Sequence, residues 1–184
     1  MLWIVGNAAF GDLGANPVEK VTHQTGEWAL RLLLLTLLIT PLRNWTGQAQ
    51  LLRFRRMAGL FVYFYACCHF LIWFLADHSL DPASMIEDII ERPYITVGFS
   101  AFVLLTPLAL TSNQWSMKKL GRNWKKLHRL VYVIIVLVII HFLWLVKADY
   151  LEPLVYALIA GVLLATRLVK SPRARVQSSV APSQ

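Results

Sequence analysis

Residues 57–76 read MAGLFVYFYACCHFLIWFLA. These twenty positions carry no charged side chain and one histidine, with Arg55 and Arg56 before them and Asp77 after. A helix rises about 1.5 Å per residue, so the run is long enough to cross a hydrocarbon core of about 30 Å. Strands would need short alternating runs, and none is present. The same pattern recurs along the chain. Trp28–Trp45 carries one charge, Arg31; Tyr94–Thr111, Leu130–Val146 and Pro153–Thr166 carry none, and Leu168 and Val169 extend the last run past Arg167. The reading is an all-α, polytopic transmembrane helix bundle with five full spans. Composition agrees: of 184 residues, 57% are hydrophobic and 15% charged. Soluble domains sit near 45–50% and about 25%, and a globule of this size could not hide so much apolar surface from water. Disorder, a collagen-like chain and an ordinary soluble enzyme are excluded.

The two ends differ from the middle. Met1–Phe10 (MLWIVGNAAF) is about half a span and lacks the basic start and small-residue cleavage site of a signal peptide. It is expected to be the end of a truncated first helix. The membrane domain is expected over residues 1–170, and the Ser/Pro-rich residues 171–184 as a disordered cytoplasmic tail.

The formal net charge of +8 would suggest nucleic acid in a soluble protein, but its distribution says otherwise. All ten acids fall in Asp12–Glu27, Asp77–Glu91 and Asp149–Glu152. Fourteen of the 18 basic residues fall in three other places: Arg43 to Arg56, Lys118 to Arg129, and Arg167 to Arg175. The two sets alternate, as loops on opposite sides of a membrane must, and basic loops stay cytoplasmic. Basic loops and the C-terminus are therefore expected inside, acidic loops outside. Trp28, Trp45, Trp115, Trp124 and Trp144 lie near span ends, as an aromatic belt would.

Ionisable residues deep in apolar spans are costly, and two histidines occupy such places. His69 is 13 residues past Arg56 and His141 is 12 past Arg129, depths of about 20 and 18 Å on parallel helices. Facing imidazoles at one level suit a six-coordinate haem iron used for electron transfer. Zinc would want more ligands than this level offers. Ala66 and Ala76 share the His69 face and leave room for a flat ring. Single histidines bonded to a neighbouring helix remain the plainer alternative.

His128 lies 13 residues before His141, about 140° round the helix, and no histidine stands opposite it near Arg56. It reads as a ligand of a second haem, a point of electron entry from the inner side, or an interfacial histidine. Arg31 reads either as the partner of Glu27 one turn away or as a contact for a haem propionate. His23 and His78 read as solvated loop residues. Adjacent Cys67 and Cys68 match no zinc spacing and read as small buried hydrophobes. No nucleotide or hydrolase fingerprint is present.

Five segments carry a family resemblance: RRMAGLFVYFYACCHFLIW, ERPYITVGFSAF, LALTSNQW, LGRNWKKLHRLVYVIIVLVIIHFLW and PLVYALIAG, together with the GANPV loop. From about Leu2 to Lys170 the chain resembles the MsrQ (YedZ) family. This is the haem-binding membrane subunit of the bacterial periplasmic methionine sulfoxide reductase system, within the ferric-reductase-like transmembrane superfamily. The resemblance implies haem b, an association with FMN, residence in the bacterial inner membrane, and transfer of quinol electrons to a periplasmic molybdenum-cofactor reductase that repairs oxidised methionines. The family's haem-linked histidines match His69, His128 and His141. The chain would then be a redox subunit rather than the catalytic one. The alternatives are a ferric reductase or oxidase core, and a small transporter using intramembrane histidines.

Overall fold

The computed structural model describes residues 16–76, 79–146 and 149–168, and every regular element among them is helical. The expected half-helix over residues 1–10, the solvated His78 and the tail over residues 171–184 lie outside the described residues.

Helix α1 (Pro17–Thr46) begins eleven residues before the expected Trp28. The Asn16 side chain accepts from the Glu19 N–H, Pro17 occupies the first turn, and Glu19 faces the positive end of the helix dipole. It ends where Gly47 turns left-handed (φ 76°) and returns its N–H to the Arg43 carbonyl. Helix α2 (Leu51–Ala76) follows after four residues and runs back along α1. Asp81 caps the short helix α3 (Pro82–Glu91) in the acidic segment. After the extended Arg92 comes α4 (Pro93–Leu110). The basic segment holds two short helices, α5 (Gln114–Leu120) and α6 (Arg122–Leu127), parted by Gly121. A 3-10 turn at His128–Leu130 then leads into α7 (Val131–Leu145). Helix α8 (Leu151–Leu168) packs on α1 and α7.

Two antiparallel pairs, α1 with α2 and α4 with α7, form the frame. Their shared core is aliphatic: Leu33 and Leu37 of α1, Leu105 of α4, and Ile134 and Ile135 of α7 are nearly sealed from solvent. The outward faces are also apolar, with Phe61 and Leu71 of α2, Val103 of α4 and Leu158 of α8 exposed. So much open apolar surface marks a lipid-facing exterior. Trp28, Trp45, Trp115 and Trp144 are exposed as a belt requires, whereas Trp124 turns in and donates to the Thr111 carbonyl.

Among the described residues, four stretches are long and apolar enough to cross a membrane: Pro17–Thr46, Leu51–Ala76, Pro93–Leu110 and Arg122–Leu145. The all-helical class therefore stands. The fifth expected span coincides with α8, which is not among those four. Acidic side chains gather at one end of the bundle and most basic ones at the other, Lys20, Arg31 and Arg92 standing among the acids.

Within α1, Pro41 has no N–H to offer the Leu37 carbonyl one turn back. Arg167 of α8 donates its Nη2 to that oxygen. A backbone group left open in an apolar interior is thus satisfied from a neighbouring helix.

Candidate functional site

His69 on α2 and His141 on α7 meet across the bundle. Their ring centroids are 6.3 Å apart and their planes lie at 84°. Both line a cavity of about 630 Å³ towards the acidic end, within the range of small-molecule pockets. Its walls are mostly aliphatic and aromatic. Ala66 and Ala76 both line it, as their place on the His69 face implied.

Each imidazole is anchored by its Nδ1. His69 Nδ1 lies 2.9 Å from the Thr22 carbonyl oxygen, and His141 Nδ1 lies 2.7 Å from that of Tyr94. A carbonyl only accepts, so each Nδ1 carries the proton and donates it. In a neutral imidazole this leaves the lone pair on Nε2. Metal-ligating histidines are held in this way, with the far ring nitrogen bonded to a carbonyl or carboxylate.

The spacing suits one metal ion between the rings. A metal–imidazole bond of about 2.0 Å plus about 1.1 Å from nitrogen to ring centre sets two opposed rings about 6–6.5 Å apart. The observed 6.3 Å falls in that interval. Among the described residues no group of three or more His, Cys, Asp or Glu side chains is placed to hold a metal. The donor set is therefore two imidazoles beside a largely apolar cavity, which fits haem and does not fit a four-coordinate zinc site.

Two helical glycines make the approach possible. Gly26 of α1 lies against the His69 ring and Gly98 of α4 against the His141 ring. A Cβ on Gly26 would stand 3.1 Å from the His69 Nδ1, and one on Gly98 would stand 2.6 Å from the His141 Nδ1. Sequence reading found the histidines and missed both glycines and both carbonyls. The signal that would have found them is a constant interval: Thr22, Gly26 and His69 recur as Tyr94, Gly98 and His141, each 72 residues later.

The other expected site residues lie elsewhere. Arg31 does not line the cavity. Its Nη2 meets Glu27 at 2.8 Å and its Nε donates to the Tyr156 hydroxyl at 2.7 Å, so the plainer i,i+4 pairing is what forms. Glu27 does line the cavity, and Arg31 reaches the site through it. At the acidic mouth His23, Glu19 and Arg92 join the lining. His128 stands at the basic end in the 3-10 turn. Its ring stacks on Trp124 with centroids 3.9 Å apart, its Nδ1 meets the Trp124 carbonyl at 3.1 Å, and its Nε2 lies 3.5 Å from the Ser112 hydroxyl. No histidine among the described residues faces it. Cys67 and Cys68 are free thiols of intermediate burial.

Comparison with known proteins shows the family. The family described as the ferric reductase like transmembrane component matches residues 25–139. A protein of Xanthomonas axonopodis pv. citri is 51% identical over 173 residues, covering 94% of this chain and 79% of the relative. One of Bordetella pertussis is 54% identical over 158 residues, covering 85% and 77%. Both are named "Protein-methionine-sulfoxide reductase heme-binding subunit MsrQ". No solved structure matches the chain.

Proposed function

The chain belongs to the MsrQ family of ferric-reductase-like membrane proteins, and from that premise we propose that it is the haem-binding, electron-transferring subunit of a methionine sulfoxide reductase, with His69 and His141 as the residues that would hold the haem iron. The observation that carries the assignment is the pair of facing imidazoles, each with its Nδ1 spent on a backbone carbonyl and its Nε2 left as a donor.

When bound, haem would supply one-electron exchange. The protein's part is to fix two neutral imidazoles in one tautomer, to hold their rings apart at one level, and to keep water away with aliphatic and aromatic walls. Neutral histidines suit this apolar depth, where a charged ring would be costly. Arg31 steadies Glu27 at the cavity edge, and Tyr156 and Glu152 of α8 join that network.

The rest of the reading extends the family premise. The haem is of the b type. Five helices span the bacterial inner membrane, α8 being the fifth, with the basic end cytoplasmic. Electrons enter from the quinol pool at the basic end and leave for a periplasmic molybdenum-cofactor reductase at the acidic end. His128, stacked on Trp124 at the basic end, belongs to the entry side; FMN follows from the family premise alone. The alternation of charge along the chain supports this orientation.

The test is the reduced-minus-oxidised spectrum and haem content of purified protein. Wild type should show a low-spin b-type spectrum. His69→Ala and His141→Ala should each abolish most of it, and His128→Ala should retain it. Loss of all haem in His128→Ala, with a normal spectrum in His141→Ala, would show that the ligands are misassigned.

A further inference from the structure

The two ligand-bearing helices are held by the same device used twice. In the first half, α1 offers the Thr22 carbonyl and, four residues on, Gly26; the His69 ring of α2 lies over the glycine and donates Nδ1–H to that carbonyl. In the second half, α4 offers the Tyr94 carbonyl and Gly98, and the His141 ring of α7 does the same. The 72-residue interval holds beyond these six positions. Ala29, Leu33 and Phe70 line the cavity, and so do Ala101, Leu105 and Phe142, each 72 residues later.

A carbonyl in a helix already accepts from the N–H four residues ahead, here that of Gly26 or Gly98. Reaching its second lone pair from the side requires bare backbone at that fourth residue, because a Cβ there would stand where the imidazole lies. Both acceptors are backbone carbonyls, so access to them is set by the bare backbone at the glycines; at Thr22 the Thr25 hydroxyl, 2.8 Å from the same oxygen, shares the acceptor.

We propose that Gly26 and Gly98 are positioning residues for the electron-transfer centre, setting the orientation and donor strength of its two imidazoles, with Gly98 the stricter of the pair. This rests on His69 and His141 being the iron's ligands. The difference in strictness follows from distance. A Cβ at Gly98 would lie 2.6 and 2.8 Å from Nδ1 and Cε1 of His141, closer than real Cβ contacts come, so the ring must move and leave the Tyr94 carbonyl. At Gly26 the matching distances are both 3.1 Å, and a shift of a few tenths of an ångström suffices. An imidazole that loses its Nδ1–H···O bond is a weaker donor to ferric iron, so the midpoint potential rises.

The experiment compares purified haem-loaded wild type with Gly26→Ala, Gly98→Ala and Gly59→Ala. It reads haem per chain, the ferric electron paramagnetic resonance spectrum and the midpoint potential. Gly59 on α2 has nothing within 4 Å of a built Cβ and serves as the control. Alanine is the better helix former, so a bare helix effect would stabilise all three variants. The expected order is an unchanged Gly59→Ala, a Gly26→Ala with full haem and a small rise in potential, and a Gly98→Ala with an altered resonance spectrum, a larger rise and about 10–100-fold weaker haem retention. A Gly98→Ala protein with wild-type resonance, potential and haem content overturns the inference. So does a Gly59→Ala protein as impaired as Gly98→Ala. Should Gly98→Ala fail to accumulate, Gly26→Ala decides: a raised potential supports the inference and an unchanged one overturns it. A wild type without low-spin haem overturns the ligand assignment itself, whereas a normal wild type with an indifferent Gly98→Ala overturns only the role of the glycines.

Discussion

Replacing Arg167 by Leu tests how the bundle closes around Pro41. Arg167 Nη2 is the donor to the Leu37 carbonyl, which Pro41 leaves without its helical partner. Hydrogen bonds between membrane helices average about 0.6 kcal/mol and reach about 1.7. A charged donor to an otherwise open carbonyl belongs near the top of that range. Part of the gain is offset, because Arg167 Nε is buried without a hydrogen-bond partner. Arg167→Leu should therefore cost about 1–1.5 kcal/mol. Pro41→Ala restores a backbone N–H four residues past Leu37, so the carbonyl no longer depends on α8. In that background Arg167→Leu should cost about 0.5 kcal/mol or less, a coupling of about 1 kcal/mol between side chains on different helices. The assay is a double-mutant cycle on reversible unfolding in mixed micelles, followed by helical circular dichroism and by haem absorbance. Additive single effects, with coupling below about 0.3 kcal/mol, would refute the idea that Arg167 replaces the hydrogen bond that Pro41 removes.

Two other expectations follow from geometry. Imidazole planes at 84° should give ferric haem a highly anisotropic, single-feature low-spin resonance at low temperature; a well-resolved rhombic three-line signal would mean near-parallel rings. Cysteines introduced at the exposed Lys118 and Glu87, in a background with Cys67 and Cys68 replaced, should separate in intact cells. The Glu87 position should react with an impermeant reagent and the Lys118 position should not; the reverse result would invert the bundle.

The sequence shows the helices through their uncharged runs, and its least accurate boundary is instructive. Hydropathy starts the first span at Trp28 because Glu19, Lys20, His23 and Glu27 read as loop. The structure continues the helix back to Pro17, where Asn16 caps it. Those residues are polar because they face the cavity mouth and the acidic end, a tertiary reason that a hydropathy window cannot register. The depth of His69 and His141 was legible because rise per residue is fixed. The edge that each ring presents was not legible, since it depends on which backbone each helix meets. Arg31 shows the same limit: its charge and depth allowed a cofactor contact, and only the packing of α8 brings Tyr156 against it.

The 72-residue interval has a consequence in time. During synthesis at about 5–20 residues per second, the second half lags the first by roughly 4–14 s. Thr22, Gly26 and His69 can close their contact while Tyr94, Gly98 and His141 are still being made. One wall of the cleft is then ordered before the opposite wall exists. Each imidazole is fastened by its own half, at a sequence separation of 47 residues in both, and neither depends on the other half for its orientation. On the proposed assignment, a cofactor arriving late would find both imidazoles already oriented, and its binding would lock the seam between the halves rather than the histidines themselves.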